Sequence, residues 1–252
     1  MTSEERKQQI MEQIQQAGSV RVTDLSTQFR VSEVTIRNDL QDLESKGLLT
    51  RVHGGAIHSY KPYFSMNLSQ RLETNHSEKV QIAERIASMI RPNDTVMLNS
   101  GTTTLLAFRK FPAEYNLNIV TNSVSIALEA SSNLNYNVVL IGGSVNTKYQ
   151  FTYGIDATEQ IRKYRADKLI LSVDGIDTEN GFSTYYDKEA AIDQAMIERA
   201  HTCIVAADKT KFMRTAFVRI APLTVADRIV TTEKTDTSML EELAALGIEI
   251  VL

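Results

Sequence analysis

The stretch "VSEVTIRNDLQDLESKGLLTRVHGGA", Val31 to Ala56, carries the pattern that decides how the chain begins. Wound at about 100° per residue, its Ile36, Leu40 and Leu43 share one narrow face. Val34, Thr35, Asn38, Gln41 and Ser45 fall on the opposite side, with Arg37 on the flank. Ser32 suits an N-cap, and Val31 and Ile36 take the hydrophobic-staple positions. The spacing predicts a helix from Ser32 to about Lys46, stopped by Gly47, and "LLTRVHGGA" then reads as a short β-hairpin. Four of the charges in this stretch are acidic: Glu33, Asp39, Asp42 and Glu44. On the wheel Asp39 lies at the core edge, Glu33 and Glu44 toward the flank, and Asp42 near the outer face.

Working outward, a first helix is expected over Glu4 to Ala17, with Ile10 and Ile14 inside and Gly18 as its C-terminal cap. Thr23 offers an N-cap for a short helix carrying Leu25 and Phe29. Val34 is apolar yet points away from the core of its own unit. On a solvated helix it is merely tolerated. On a recognition helix it can meet a thymine methyl, with Asn38 and Gln41 suited to adenine edges and Arg37 to guanine or phosphate. The N-terminus of that helix also offers N–H groups to a phosphate. Candidate DNA contacts are Thr23, Ser32, Glu33, Val34, Thr35, Arg37, Asn38 and Gln41, with Arg51 and His53 reaching the backbone from the hairpin. The plain alternative is a three-helix packing module without a ligand.

The 252 residues are 42% hydrophobic and 23% charged, enough for one large domain or two ordinary ones. No stretch reaches the roughly 18 apolar residues of a membrane span. The polar start "MTSEERKQQI" has no apolar h-region, so a cytoplasmic protein without a membrane partner is expected. The single Cys203 allows no internal disulfide and reads as a buried, inert thiol. A net charge of −4 excludes a general polycation and leaves DNA binding to local charge placement. Residues 1–58 hold seven Lys/Arg against eight Asp/Glu, which favours selective base contacts over broad attraction.

The frame VS..TIR.DL..LE..G.L.R.HGGA, together with Arg6 and "GSVRVTDLSTQF", resembles the winged helix-turn-helix of DeoR-type bacterial regulators of sugar metabolism. The resemblance covers about Glu4 to Ile57 and implies double-stranded operator DNA as a partner. The family's usual second basic residue is replaced here by Asn38, which alters the reading face and keeps its role.

Residues 59–76, "SYKPYFSMNLSQRLETNH", read as a linker that turns helical near its end. Beyond it the pattern changes. Seven short apolar runs, "TVMLN", "NIVTN", "VVLIG", "KLILSVD", "CIVAAD", "RIVTT" and "IEIVL", recur between helical stretches at Glu78 to Ile90, Ser123 to Ser131, Lys188 to Arg199 and Ser238 to Leu246. Runs apolar throughout belong to strands buried on both faces, so residues 77–252 are expected to form a mostly parallel α/β sheet.

"TVMLN" leads directly into Ser100, Gly101, Thr102, Thr103 and Thr104 and then a helix, a phosphate cradle on residue types, or a helix-capping turn with no ligand. The loop lacks the lysine of a Walker A motif and is not GxGxxG, which favours a small phosphorylated ligand over a nucleotide. Asn122 and Ser123, Gly142 and Gly143, Asp174 and Gly175, and Asp208 with Lys211 stand at other strand ends, where ligands of open parallel sheets sit.

The segment from about Glu78 to Leu252 also resembles the DeoR-type sensor domain, whose fold is similar to ribose-5-phosphate isomerase. "SGTTT", "IVTNS", "IGG", "VDGID" and "ADKTKF" carry the likeness. It implies a phosphorylated sugar or polyol held by Ser100, Gly101, Thr102, Thr103, Asn122, Asp174 and Lys211. Asn99 stands where an acidic residue is frequent, which is expected to retune the sugar end. An isomerase is the rival reading. Its lysine loop is replaced by "GFSTYYDKEAA", and Glu189 as a base lacks companions. No catalytic residue and no cofactor are therefore expected. His53, His58, His76 and His201 show no metal-ligand spacing, and His201 is expected to cap a helix C-terminus.

Together these readings describe a homo-oligomeric DNA-binding regulator. It is expected to repress a carbohydrate-catabolism operon and to respond to the phosphosugar by closing the loop around Ser100 to Thr104. An activator is the alternative sign of control.

Overall fold

The computed structural model describes residues 2–17, 19–45, 48–52, 54–58 and 66–252. They form two compact units, divided between Met66 and Asn67.

In the first unit, α1 (Ser3–Ala17), α2 (Val22–Phe29) and α3 (Glu33–Ser45) surround a small core with β1 (Ser19–Arg21), β2 (Leu49–Val52) and β3 (Gly55–His58). Ile10, Ile14, Leu25, Ile36, Leu40, Leu43 and Leu49 fill that core, as the 3.6-residue period demands. Ser32 caps α3: its Oγ accepts the Thr35 amide at 3.1 Å. Gly18, Gly47 and His53 lie outside the described residues. The hairpin of β2 and β3 gains a third strand, in the order β1-β3-β2. Gly55 permits this, since a Cβ there would stand 2.1 Å from the Val20 carbonyl oxygen. β1 runs straight into α2, so the N-cap is Arg21, without a side-chain bond. The Val22 amide is satisfied by the Gly54 carbonyl at 2.9 Å. The expectation that Thr23 caps this helix is therefore corrected: Thr23 lies inside it, its hydroxyl turned to Asp24.

In the second unit all seven predicted apolar runs become strands of one sheet: β4 (Thr95–Leu98), β5 (Leu117–Thr121), β6 (Tyr136–Leu140), β9 (Ala166–Ser172), β12 (Ala200–Ala206), β14 (Arg228–Val230) and β15 (Glu249–Val251). Their order is β15-β14-β12-β9-β4-β5-β6, and every pairing is parallel. Met97, Leu169, Leu171, Val205 and Ile229 face one layer, covered by α8 (Ile155–Ile161), α9 (Asp187–Ile197) and α10 (Thr237–Ala245). Val96, Leu98, Ile119, Ile170 and Ile204 face the other, covered by α5 (His76–Ser88), α6 (Thr102–Phe108) and α7 (Val124–Ala130). Burial on both faces explains why the strands lack alternation.

The antiparallel pieces were not foreseen. They are β7 (Ser144–Asn146) with β8 (Phe151–Tyr153), and β10 (Gly175–Asp177) with β11 (Gly181–Thr184) and β13 (Val218–Ala221). Asn67 to Asn75, the end of the stretch read as a linker, contains α4 (Leu68–Glu73) and belongs to the second unit. His201 lies in β12, exposed, and does not cap a helix. Cys203 is buried, and burial pushes its thiol up to about 12.

The strand order reverses between β4 and β9. The crevice at the carboxyl ends of such neighbours is where open α/β sheets bind ligands.

Candidate functional site

On the first unit, α3 presents Val34, 61% exposed, beside the exposed Arg37, Asn38 and Gln41. Each acid of the motif has a basic partner. Arg6 meets Asp39 at 2.5 Å, both buried, and Lys7 meets Asp42 at 2.5 Å. Arg37 meets Glu33 at 2.5 Å one helical turn back. Arg51 donates to Glu44 through its backbone amide at 2.8 Å and its Nε at 3.0 Å. The last two pairs are solvent-exposed, where an ion pair contributes only about 0–1 kcal/mol. A phosphate can therefore take either arginine at little cost. Glu33 orients Arg37, and Glu44 fastens the hairpin to α3.

In the second unit the site grows from the switch point. Asn99, just past β4, bridges to β9: its Nδ2 donates to the Ser172 carbonyl at 2.9 Å and its Oδ1 accepts the Ser172 amide at 3.0 Å. It also donates to Asp193 at 3.0 Å. Asn99 thus extends the strand pairing by one side chain, and its amide is spent inside the protein. Any retuning of the sugar end by Asn99, as its place in the motif suggested, would act through Ser172 and Asp193. Gly101 is required next, because a Cβ there would stand 2.1 Å from that of Ser172. The Thr104 hydroxyl turns back onto the Asn99 carbonyl at 2.9 Å. Thr102, Thr103 and Thr104 are all buried at the start of α6.

Ser100 donates to Glu189 on α9 at 2.8 Å. Thr184, at the end of β11, holds the other Glu189 oxygen at 2.8 Å and reaches Asp174 at 3.3 Å. Asp174 lies 3.5 Å from the Lys211 Nζ and 4.0 Å from the Arg71 guanidinium. Lys211 sits on a short 3-10 turn opened by Asp208, whose carboxylate accepts the Thr210 amide at 3.0 Å. Lys79, nearly sealed from solvent, donates to the Arg71 carbonyl at 2.6 Å. Arg214 donates to the Tyr185 hydroxyl at 2.6 Å. Tyr149 stacks beneath Arg71, 4.3 Å from its guanidinium carbon, and Tyr186 packs edge-on to Tyr149.

The charge balance of this pocket is lopsided. Burial alone would raise the Asp174 carboxyl, but Lys211, Arg71 and Arg214 outweigh it and hold the group ionised. Burial likewise opposes ionised Asp208, and Lys211 and Lys79 overcome it. Glu189 moves the other way, raised by burial and by Asp174. Asp193 is raised further, by burial and by Glu189. Burial brings the Lys79 ammonium down to about 8. Four cationic side chains therefore face two firmly ionised carboxylates, with two more carboxyls driven toward the neutral form. A buried excess of positive charge ringed by hydroxyls and carboxyls is suited to a small hydroxylated anion.

Of the sequence-predicted residues, Ser100, Asp174 and Lys211 converge here. Gly175 packs below, a Cβ there standing 2.5 Å from the Arg214 carbonyl oxygen. Asn122 ends β5, buried, its Nδ2 bound to the Thr152 carbonyl at 3.2 Å. The Asn122 Oδ1 has no partner among the described residues. Ser123 caps α7 through the Ile126 amide. The described contacts of Gly142 and Gly143 run to Gln160 and Tyr153 rather than to Asp174. Sequence reasoning missed Arg71, Lys79, Thr184 and Arg214. Lys79 left a signal: it shares the apolar stripe of Ile82, Ala83 and Ile86 at helical spacing. Among the described residues no group of three or more metal-ligating side chains occurs, and no helix is long and apolar enough to cross a membrane.

Known proteins agree with both units. The DeoR-like helix-turn-helix domain matches residues 6–60, and the DeoR C-terminal sensor domain matches residues 74–233. A protein of Escherichia coli O157:H7 named for repression of the aga operon is 34% identical, covering 98% of this chain and 93% of its own. The transcriptional repressor GlcR of Bacillus subtilis is 29% identical over 100% and 97%. The lactose phosphotransferase system repressor of Lactococcus lactis is 29% identical over 96% of each. Among solved structures, ribose 5-phosphate isomerase A of Methanocaldococcus jannaschii overlays 55% of each chain at 14% identity and a TM-score of 0.40. The parallel strand order stands without that likeness. With both halves matched in sequence, the chain belongs to the DeoR family of helix-turn-helix transcriptional regulators.

Proposed function

We propose that this regulator represses a carbohydrate-catabolism operon and is released from its operator by a phosphorylated sugar or polyol bound in the second unit. The observation that carries the effector reading is the buried excess of positive charge around Asp174, beside the hydroxyls of Ser100 and Thr184. A phosphate dianion satisfies Arg71, Lys211 and Arg214 together, and sugar hydroxyls pair with Glu189, Thr184 and the open Asn122 oxygen. Both Glu189 oxygens are held by hydroxyls, an arrangement for binding rather than proton abstraction. The names of the relatives point the same way, toward repression of sugar-use genes.

On α3, Val34, Arg37, Asn38 and Gln41 read base edges in the major groove, while Ser32, Thr35 and Arg51 contact the backbone. Thr23 and Glu33 flank that surface, and Glu33 steers Arg37. A homo-oligomer in the cytoplasm suits the role, because paired half-sites mirror protein symmetry. The effector acts through its different affinity for two arrangements of the protein. The Ser100 to Thr104 turn is largely buried and cross-tied, so the motion that answers the effector lies outside it.

Footprinting on the DNA flanking the protein's own gene, with a panel of sugar monophosphates, tests the reading. Protection that one member of the panel removes is expected. Protection unchanged at saturating concentrations of every member would sink the effector role, and no protection at all would sink the operator role.

A further inference from the structure

α4 is six residues long, Leu68–Glu73. A helix of that length does not hold itself together in water, so its place depends on what it docks against. It begins at Asn67, the first residue of the second unit, directly after the segment leading from the DNA-binding unit. Asn67 and Gln70 close a capping box, with bonds of 2.9 and 3.0 Å. Further polar tethers of this segment reach the effector pocket. Arg71 pairs with Asp174 and stacks on Tyr149. The Arg71 carbonyl accepts from Lys79. Asn75, just past the helix and in the left-handed region at φ 53, donates to Asp208 at 3.1 Å. The segment entering the second unit is thus fastened by charges that an anionic ligand would compete for.

The geometry points to Arg71 as the coupling residue: an incoming phosphate draws its guanidinium from Asp174, shifts α4, and so passes effector binding to the segment that leads to the DNA-binding unit. This rests on the effector reading above and adds the route by which the site acts. Lys211, on the 3-10 turn Lys209–Lys211, and Arg214, three residues on, lie far along the chain from the segment that enters the second unit. All three hold the ligand, and Arg71 also reports it.

Hydrogen exchange on the full chain tests this, with sugar monophosphates that bind by calorimetry and with inorganic phosphate as the minimal anion. In the wild-type chain, ligand is expected to change exchange across residues 68–75 and to lower operator affinity. Arg71→Met is expected to bind the same ligand roughly 10- to 150-fold more weakly than wild type, the loss of one charge-assisted contact, yet show neither change at saturation. Arg71→Lys keeps the charge, loses the planar stacking, and is expected to respond in part. Asn67→Ala leaves the pocket intact and removes the capping box. It is expected to speed exchange at 68–75 and to blunt the response at unchanged ligand affinity. An Arg71→Met chain that reaches the full wild-type response once saturated would show Arg71 to be a ligand contact only, and a wild-type response in Asn67→Ala would likewise overturn the route. Ligand binding with no change at residues 68–75 removes the coupling and leaves the phosphosugar reading standing. Failure of every probe to bind removes both.

Discussion

The two units use the same chemistry, acid–base pairs, under opposite conditions. On α3 and the hairpin, Arg37–Glu33 and Arg51–Glu44 are pairs with side chains roughly half-exposed. At the switch point of the sheet, Asp174 meets Lys211 and Arg71 with side chains 6–11% exposed. Water screens the first set, so each arginine is tethered weakly and can exchange its carboxylate for a DNA phosphate. The second set is cut off from water, so removing or adding one charge there is felt strongly. Under the proposed function, solvent access, more than residue type, separates a DNA-reading surface that must let go from an effector pocket that must discriminate. Both units belong to a family of transcriptional regulators, and the contrast between them suits a protein that binds and releases rather than one that transforms.

The contrast can be broken most directly inside the first unit, which also holds the buried pair Arg6–Asp39. Asp39→Ala leaves the Arg6 guanidinium buried and alone, and is expected to cost about 3–5 kcal/mol of that unit's stability. Denaturant titration followed by far-UV circular dichroism reads this. A loss below about 1 kcal/mol would place this pair with the exposed ones. Next in size, Lys211→Ala is expected to weaken sugar-phosphate binding by about 1.5–3 kcal/mol, the range for a charged hydrogen bond, as measured by calorimetry. Unchanged affinity would remove Lys211 from the ligand site.

Arg37→Ala is expected to weaken operator binding by about 1–3 kcal/mol and flatten its salt dependence. Glu33→Ala should change folding stability by no more than about 0.5 kcal/mol while tightening non-specific DNA binding, since it removes a negative charge beside Arg37. Gel-shift titrations over a salt series measure both. Equal losses from the two substitutions would show that Glu33 is a DNA contact in its own right.

The smallest effect sharpens the buried side. The Lys79 ammonium titrates near 8 in the folded chain, below its usual 10.5, because burial disfavours its charge. Between those values the unfolded chain binds more protons than the folded one, so this group's contribution to stability rises with pH from about 8 to 10.5. Ligand affinity should run the other way, falling above pH 8 as the ammonium that attracts the anion is lost. Calorimetry across that range checks the sign, and affinity independent of pH would separate Lys79 from the ligand's field.

Much of the fold was legible. Ile36, Leu40 and Leu43 fixed α3 by helical spacing, and all seven apolar runs became parallel strands, because burial on one face leaves a period and burial on both leaves an unbroken apolar run. Thr23 was misplaced because a strand running straight into a helix, with the Val22 amide met by Gly54, makes a cap that uses no side chain. His201 was misplaced because α9 ends and β12 begins within three residues, Ile197 to Ala200. At the site, Ser100, Asp174 and Lys211 could be named from strand ends, whereas Arg71 hid in a polar stretch that reads as linker.

The sequence by itself determined the helix-turn-helix, the parallel sheet and the polar strand ends, because each depends on local spacing of residue types. Only the tertiary structure decided which charges meet. Asp39 finds Arg6 across 33 residues, Asn99 ties the switch point to Asp193 across 94, and Asn75 reaches Asp208 across 133. Such pairings follow from how strands are ordered and helices packed, and burial then sets the strength of each. The acids in "TIRNDLQDLES" thus proved compatible with DNA binding once their partners were in place, and no spacing within the stretch could have identified those partners.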